Sequence, residues 1–260
     1  MCLALLALAA HPRYAAVIAA NRDEYHARTA APAAWWDEGW LAGRDLSAGG
    51  TWLGVTRTGR WALLTNVREP GRKDVAAPSR RALVKRVLAD RALPGACVAA
   101  VVGGAAAYNG FNLLAGVATS AHWGSNRTAT TVALTPGIHG VSNAALDTPW
   151  PKVVRSREAF GAWCAGRTDD FDPLFALLGD TTRAPDDLLP ATGVPLEWER
   201  LLSAPFIVAE DGGYGTRCST VLAIGCDGDA RFIERTFDPA GRQVGEVDFR
   251  FNVAVSAGSR

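Results

Sequence analysis

A chain of 260 residues with 48% hydrophobic and 20% charged residues has the composition of an ordinary soluble globular protein. With no linker-like segment it is expected to form one domain over residues 1–260. Its net charge of +1 excludes the long-range field that recruits nucleic acid or an anionic membrane, and no run approaches the roughly 18 apolar residues of a membrane span.

The chain opens on an apolar run, Cys2 to Ala10, broken at His11-Pro12-Arg13 and resumed from Tyr14 to Ala20 before the polar quartet Asn21-Arg22-Asp23-Glu24. A secretory h-region has this length, but no basic segment precedes the run, so a buried strand is expected instead. The two runs read as a hairpin about residues 11–13, which returns the end of the second beside Cys2. Strand alternation puts Asn21 and Asp23 on one face and Arg22 and Glu24 on the other.

Trp35, Trp36 and Trp40 lie in an Ala- and Pro-rich segment with no clean period. Thr51 to Arg57 and Arg60 to Asn66 read as strands joined across Thr58-Gly59. The preceding Gly49-Gly50 suggests a close backbone approach or an unusual φ/ψ. Pro78 to Asp90 reads as a helix capped at Ser79, its cluster from Arg80-Arg81 to Lys85-Arg86 forming a solvated face. A second helix is expected over Pro94 to Val102.

Phe111 to Val117 and Thr130 to Leu134 are expected strands. Ile138 to Asn143 is a third, after a turn at Pro136-Gly137. Trp150 to Cys164 shows the clearest helical stripe, with Trp150, Val153, Val154, Phe160, Trp163 and Cys164 on one side and Lys and Arg opposite. Pro173 to Leu178 reads as another helix, and residues 179–205 as a long surface excursion. Strands are expected at Phe206 to Glu210, Thr216 to Cys226, Ala230 to Phe237 and Gly245 to Val255, with Asp227-Gly228-Asp229 as a hairpin turn. Segregated runs of strands and helices imply an α+β fold.

The cysteines at 2, 97, 164, 218 and 226 show no paired spacing, and the histidines at 11, 26, 122 and 139 are scattered. Neither a disulfide framework nor a metal site is expected, no cofactor is implied, and the setting reads as reducing and cytoplasmic. Cys2 stands apart. If Met1 is trimmed, it carries an α-amine and a thiol on one residue. An α-amine titrates near about 7.7–8.0 and a cysteine near about 8.5, so the amine can take the thiol's proton.

Met1-Cys2 and Asn21-Arg22-Asp23-Glu24, with Leu41-Ala42-Gly43-Arg44-Asp45, Gly49-Gly50-Thr51-Trp52, Leu64-Thr65-Asn66-Val67-Arg68, Tyr108-Asn109-Gly110-Phe111-Asn112, Gly140-Val141-Ser142-Asn143, Thr148-Pro149-Trp150-Pro151-Lys152 and Tyr214-Gly215-Thr216-Arg217, resemble the NRDE family, which includes the transport and Golgi organisation 2 proteins. The resemblance implies a branch of the N-terminal-nucleophile hydrolases, with a four-layer αββα sandwich of two antiparallel sheets. It implies Cys2 as nucleophile, Asp23 as the carboxylate holding its amine, Asn66 and Asn143 around the attacked carbonyl, and Arg217 as a late arginine. Asn21, Arg22 and Asn112 are candidate pocket residues. The implied chemistry is amidohydrolase cleavage of a non-peptide C–N bond through a Cys2 thioester.

The sequence departs from the hydrolase pattern at Ala20, where those enzymes carry an arginine. The nearest arginine is Arg22, which a regular strand turns away from Asp23. The alternatives are a buried apolar Cys2 behind a retained Met1, asparagines that satisfy backbone groups, and an Arg217 paired with Asp23. The resemblance also implies a second functional reading, favoured by the missing upstream arginine: a non-catalytic carrier or homeostasis factor for haem, lipid or acyl-coenzyme A that uses the same pocket without turnover. The ligand classes implied are therefore an N-acyl compound, an acyl thioester or haem.

Overall fold

In the computed structural model, which describes residues 2–117 and 119–253, β1 (Cys2–Leu8) and β2 (Tyr14–Tyr25) form an antiparallel hairpin. Both strands are apolar on both faces because both faces are covered. Leu3, Leu5 and Ala7 enter one core, while Ala4, Leu6 and Leu8 enter another. Each fully buried leucine contributes about 1.5–3 kcal/mol, so this run is the foundation of the fold.

The chain continues through β3 (Ala30–Trp35), β4 (Trp40–Asp45), β5 (Leu53–Thr56), β6 (Trp61–Asn66), α1 (Arg81–Ala89) and α2 (Pro94–Gly103). Then come β7 (Phe111–Val117), β8 (Ser120–Ser125), β9 (Thr130–Ala133), β10 (Gly137–Val141), α3 (Pro151–Ala165), α4 (Asp172–Leu178), α5 (Leu196–Leu202), β11 (Tyr214–Gly225), β12 (Asp229–Phe237) and β13 (Gln243–Asn252). One sheet runs β10-β1-β2-β11-β12-β13 and the other β3-β4-β5-β6-β7-β8-β9, all pairs antiparallel.

The sheets pack face to face over a core containing Leu6, Ile18, Leu41, Trp61 and Phe232. Helices α1 and α2 cover the seven-stranded sheet through Val84, Val87 and Val98, and α3 and α4 cover the six-stranded sheet through Phe160, Trp163 and Leu174. The result is the four-layer α+β arrangement. No helix among the described residues is long and apolar enough to cross a membrane.

Several local expectations are corrected. The segment holding Trp35 and Trp40 forms β3 and β4; a bulge between Ala31 and Ala34 breaks the alternation that signals a strand. Ser120–Ser125 is a strand despite its mixed composition, and Phe206 to Glu210 is irregular apart from a bridge between Val208 and Gly215. The excursion contains α5, whose Leu202 joins Ile207 and Tyr214 in a satellite core. Helix α1 begins at Arg81, whose backbone N–H donates to Ser79 Oγ at 3.4 Å. Asn143 lies two residues past β10. The expected last strand ends at Asn252, and its final two positions lie outside the described residues.

Two glycines place side chains that matter below. A Cβ on Gly43 would fall 2.2 Å from the Trp52 ring, so this position must be bare for Trp52 to lie across β4. A Cβ on Gly50 would meet the Arg81 backbone at 2.7 Å, and Gly49 has φ +66°, in agreement with the reading of the Gly49-Gly50 pair.

Candidate functional site

The half-buried Cys2 heads β1 at the rim of the six-stranded sheet. Directly across the ladder lies Arg22, and across the next strand Cys218. Opposed residues share a face, so the Cys2 and Arg22 side chains both point between the sheets. Arg22 does point away from Asp23, as strand alternation requires, but that direction brings it to the thiol's side.

Arg22 is only 1% exposed. It stacks over Trp52 at 4.7 Å, and its Nη2 stands 3.6 Å from Asp45 Oδ2. Asp45, fully buried, is held more closely by Arg28 Nε at 2.7 Å and Arg81 Nε at 2.5 Å, while its Oδ1 accepts the backbone N–H groups of Ser47 and Ala48. Arg81 also reaches Glu24 Oε2 at 3.0 Å. Burial works to raise the Asp45 carboxyl, but the Arg28 and Arg81 contacts hold it below the usual range.

The expectation of a solvated Arg80-Arg81 face therefore fails. Both residues turn inward at the start of α1, Arg81 to the carboxylates of Asp45 and Glu24 and Arg80 to a backbone carbonyl. Arg80 donates to the Gly110 carbonyl at 2.6 Å. Burial and the neighbouring Arg81 push its guanidinium down to about 10.

Asp23 lies next to Arg22 on the opposite face, 2% exposed, and its Oδ1 accepts the Thr216 hydroxyl at 2.7 Å. Thr216 Oγ1 is oriented in turn by the Ile207 N–H at 2.9 Å. Burial raises the Asp23 carboxyl, opposed by Lys152 and the Thr216 bond.

Lys152, in the first turn of α3, is 1% exposed and its Nζ has no hydrogen-bond partner among the described residues. Burial pushes it down to about 8, against the attraction of Asp23. Sequence periodicity placed this lysine with the solvated residues of the helix. Its only signal was its place at the end of Thr148-Pro149-Trp150-Pro151-Lys152, at the helix start.

The remaining candidates divide by what their polar atoms do. Asn66 ends β6 and lines a cleft of about 720 Å³, and its carboxamide makes no hydrogen bond among the described residues. Asn143 Nδ2 donates to the Asn66 carbonyl at 2.7 Å, and the Arg68 N–H donates to the Asn143 carbonyl at 2.8 Å. Arg217 Nη1 donates to the carbonyls of Tyr25, His26 and Arg28, so it ties down the turn after β2 rather than pairing with Asp23.

Asn21 donates to the carbonyls of Leu178 and Pro205 and accepts from Ser219, which latches both ends of the excursion. Asn112 bonds Thr65, the Ala144 carbonyl and Trp123. Neither of these asparagines lines the cleft. The cleft is lined by Glu24 at the end of β2 and Arg28 in the turn after it, by Arg68 and Lys73 after β6, by Trp198 on α5, and by Arg80 and Tyr214.

The family model described as Transport and Golgi organisation 2 matches residues 1–239. The chain is 33% identical over 257 residues to the Transport and Golgi organization protein 2 homolog of Bos taurus, covering 91% of this chain and 93% of that protein. It is 32% identical over 240 residues to the Homo sapiens homolog, covering 86% and 87%. Among solved structures, the C2A mutant of conjugated bile acid hydrolase from Clostridium perfringens aligns over 100% of both chains with a TM-score of 0.48 and 8% identity. The Caenorhabditis elegans N-acylethanolamine-hydrolyzing acid amidase ortholog aligns over 85% of this chain and 92% of that one, with a TM-score of 0.45 and 10% identity.

Proposed function

The chain belongs to the transport and Golgi organisation 2 family, and on that premise and the geometry around Cys2 we propose that it is a cysteine amidohydrolase of the N-terminal-nucleophile type. The observation that carries this reading is the half-buried Cys2 at the strand rim, directly opposed by the buried Arg22, in a chain whose candidate Asn66 lines a cleft roomy enough for a small molecule.

In the proposed reaction the Cys2 amine, freed by removal of Met1, takes the thiol proton, and the sulfur attacks the carbonyl carbon of an N-acyl compound. The C–N bond breaks as the ammonium returns the proton to the departing nitrogen, leaving a Cys2 thioester. Water then cleaves the thioester to a carboxylic acid and restores the thiol. Asp23, fixed by Thr216, holds the ammonium. The Asn66 carboxamide donates to the developing oxyanion, a role worth about 2.7–4 kcal/mol when well placed. Met1 itself lies outside the described residues.

A second reading, a carrier of haem, lipid or acyl-coenzyme A, is favoured by the engagement of Arg217 with backbone carbonyls and of Asn143 with Asn66. Intact-mass spectrometry with a panel of N-acyl compounds and acyl thioesters separates the two. The hydrolase reading expects loss of the Met1 increment and an acyl adduct that disappears in Cys2→Ala. Retained Met1, or tight haem or acyl-coenzyme A binding with no adduct on any compound, sinks it.

A further inference from the structure

A second, smaller cavity of about 220 Å³ lies on the other side of Arg22 from Cys2, lined by Arg22, Trp52, Arg217, Cys218, Glu234 and Thr236 among others. The nitrogens Nε, Nη1 and Nη2 of the buried Arg22, and Nε of Arg217, have no hydrogen-bond acceptor among the described residues. A buried guanidinium left without acceptors costs free energy on the order of 1–3 kcal/mol per unmet group, and more because it is charged. The nearest anion, Asp45 at 3.6 Å, is already shared between Arg28 and Arg81.

The two arginines that carry these four nitrogens thus line a space of roughly seven water volumes. We propose that this cavity binds the oxyanion of a small molecule, a carboxylate or a phosphate, with Arg22 as its principal anchor and Arg217 Nε as a second donor. Guanidinium is suited to such groups because its planar fork matches two oxygens at once. The Trp52 face supports the guanidinium from behind.

The only carboxyl in the cavity wall among the described residues is Glu234 on β12, and it is arranged to interfere little. Its Oε1 accepts the Ala33 N–H from β3 at 2.8 Å, and its Oε2 accepts the Thr220 hydroxyl from β11 at 3.2 Å. Burial lifts it from the usual range to about 7, with Arg22 from β2 and Cys218 from β11 the titratable groups beside it. Below neutrality Glu234 is uncharged and an anion enters without repulsion. Above it the carboxylate competes for Arg22.

Cys2, Arg22 and Cys218 occupy one row across neighbouring strands, and strands are spaced about 4.7–4.9 Å apart. An anion held by Arg22 therefore sits one to two strand spacings from the thiol, close enough to be part of the same ligand. The site does not depend on turnover at Cys2, so its test reads binding alone.

Isothermal titration of the full chain with inorganic phosphate and with acetate, at pH 6 and pH 8, is the experiment. Saturable binding of either anion is expected, tighter at pH 6, and whichever binds identifies the terminal group of the natural ligand. Arg22→Met is expected to weaken it roughly tenfold or more. Glu234→Gln, which keeps the amide oxygen for Ala33 and leaves Arg22 in place, is expected to bind at pH 8 as well as at pH 6. Absence of binding by the wild type to both anions overturns the proposal, as does undiminished binding by Arg22→Met or an unchanged pH dependence in Glu234→Gln.

Discussion

At the scale of single residues, the site is a set of groups whose ionisation is fixed by burial. The five thiols separate cleanly on this basis. Burial raises Cys97, pushes Cys164 up to about 11 and lifts Cys218 well above the usual thiol range, so all three stay protonated at neutral pH. Cys226 is exposed in the turn after β11, so it does not share the apolar context expected from its strand. Limiting iodoacetamide at pH 7 followed by peptide mapping should label Cys2 first and Cys226 second, with the other three untouched. Earlier labelling of Cys164 or Cys97 would count against a reactive Cys2. Glu234 gives a stability prediction whose sign is fixed. Its folded value of about 7 lies above the ordinary 4.5, so the folded state holds the proton longer. The stability this adds is complete below about pH 4.5 and is lost as pH rises through 7. Glu234→Gln lacks this loss. Urea unfolding should show the variant gaining roughly 2–3 kcal/mol on wild type between pH 5 and pH 8, and a constant difference between the two would refute the assignment.

At the scale of elements, the two sheets are joined at the site by side chains that bridge loop to strand. Asn143, past the end of β10, donates to the carbonyl of Asn66 at the end of β6, and Asn112 on β7 donates to the Ala144 carbonyl. Ser142 Oγ donates to the Cys2 carbonyl at 2.8 Å, so the same loop also positions Cys2. The two asparagines therefore have separable roles. Asn143→Ala removes a nearly buried tether and leaves the Asn66 carbonyl without that donor, which should lower unfolding free energy by about 1–3 kcal/mol and slow Cys2 acylation through misplacement. Asn66→Ala leaves the tether intact because the bond is to the Asn66 backbone. It should keep wild-type stability and lower kcat by about 100- to 1000-fold with little change in KM. Denaturant melts alongside acylation kinetics test both, and an Asn66→Ala protein with unaltered kcat would remove Asn66 from the oxyanion role.

At the scale of the whole molecule, the architecture was legible where burial imposes a pattern and obscure where tertiary contacts override it. The hairpin of β1 and β2, the stripe of α3 and the segregation of strands from helices follow from continuous or periodic apolar residues. The strands β3 and β4 did not, because a bulge and small residues erase their period. Cys2, Asp23 and Asn66 were found through motif resemblance, and the rim geometry gives them a physical setting. Lys152 and the inward Arg80 and Arg81 escaped notice because helical periodicity assigns charged residues to solvent unless distant carboxylates are known to face them. Residues 179–205 were readable only as polar and irregular, since what organises them is remote: Arg68 pairs with Glu199 on α5, and Asn21 holds the carbonyls at both ends. This packing makes the excursion a wall of the cleft, with Trp198 set edge-on to Tyr214 at 5.5 Å. Trp198 lines the cleft from α5 and has no chemical role in the proposed reaction, so its contribution to any ligand should be the same before and during reaction. Uniform binding of that kind changes KM and leaves kcat alone. Trp198→Ala should therefore raise the half-saturating concentration for Cys2 acylation by roughly tenfold, the scale of one lost aromatic contact, at an unchanged maximal rate. Saturation kinetics with one N-acyl probe measure this. A fall in maximal rate at constant half-saturation would mean instead that the excursion closes over the reacting centre and shapes its transition state.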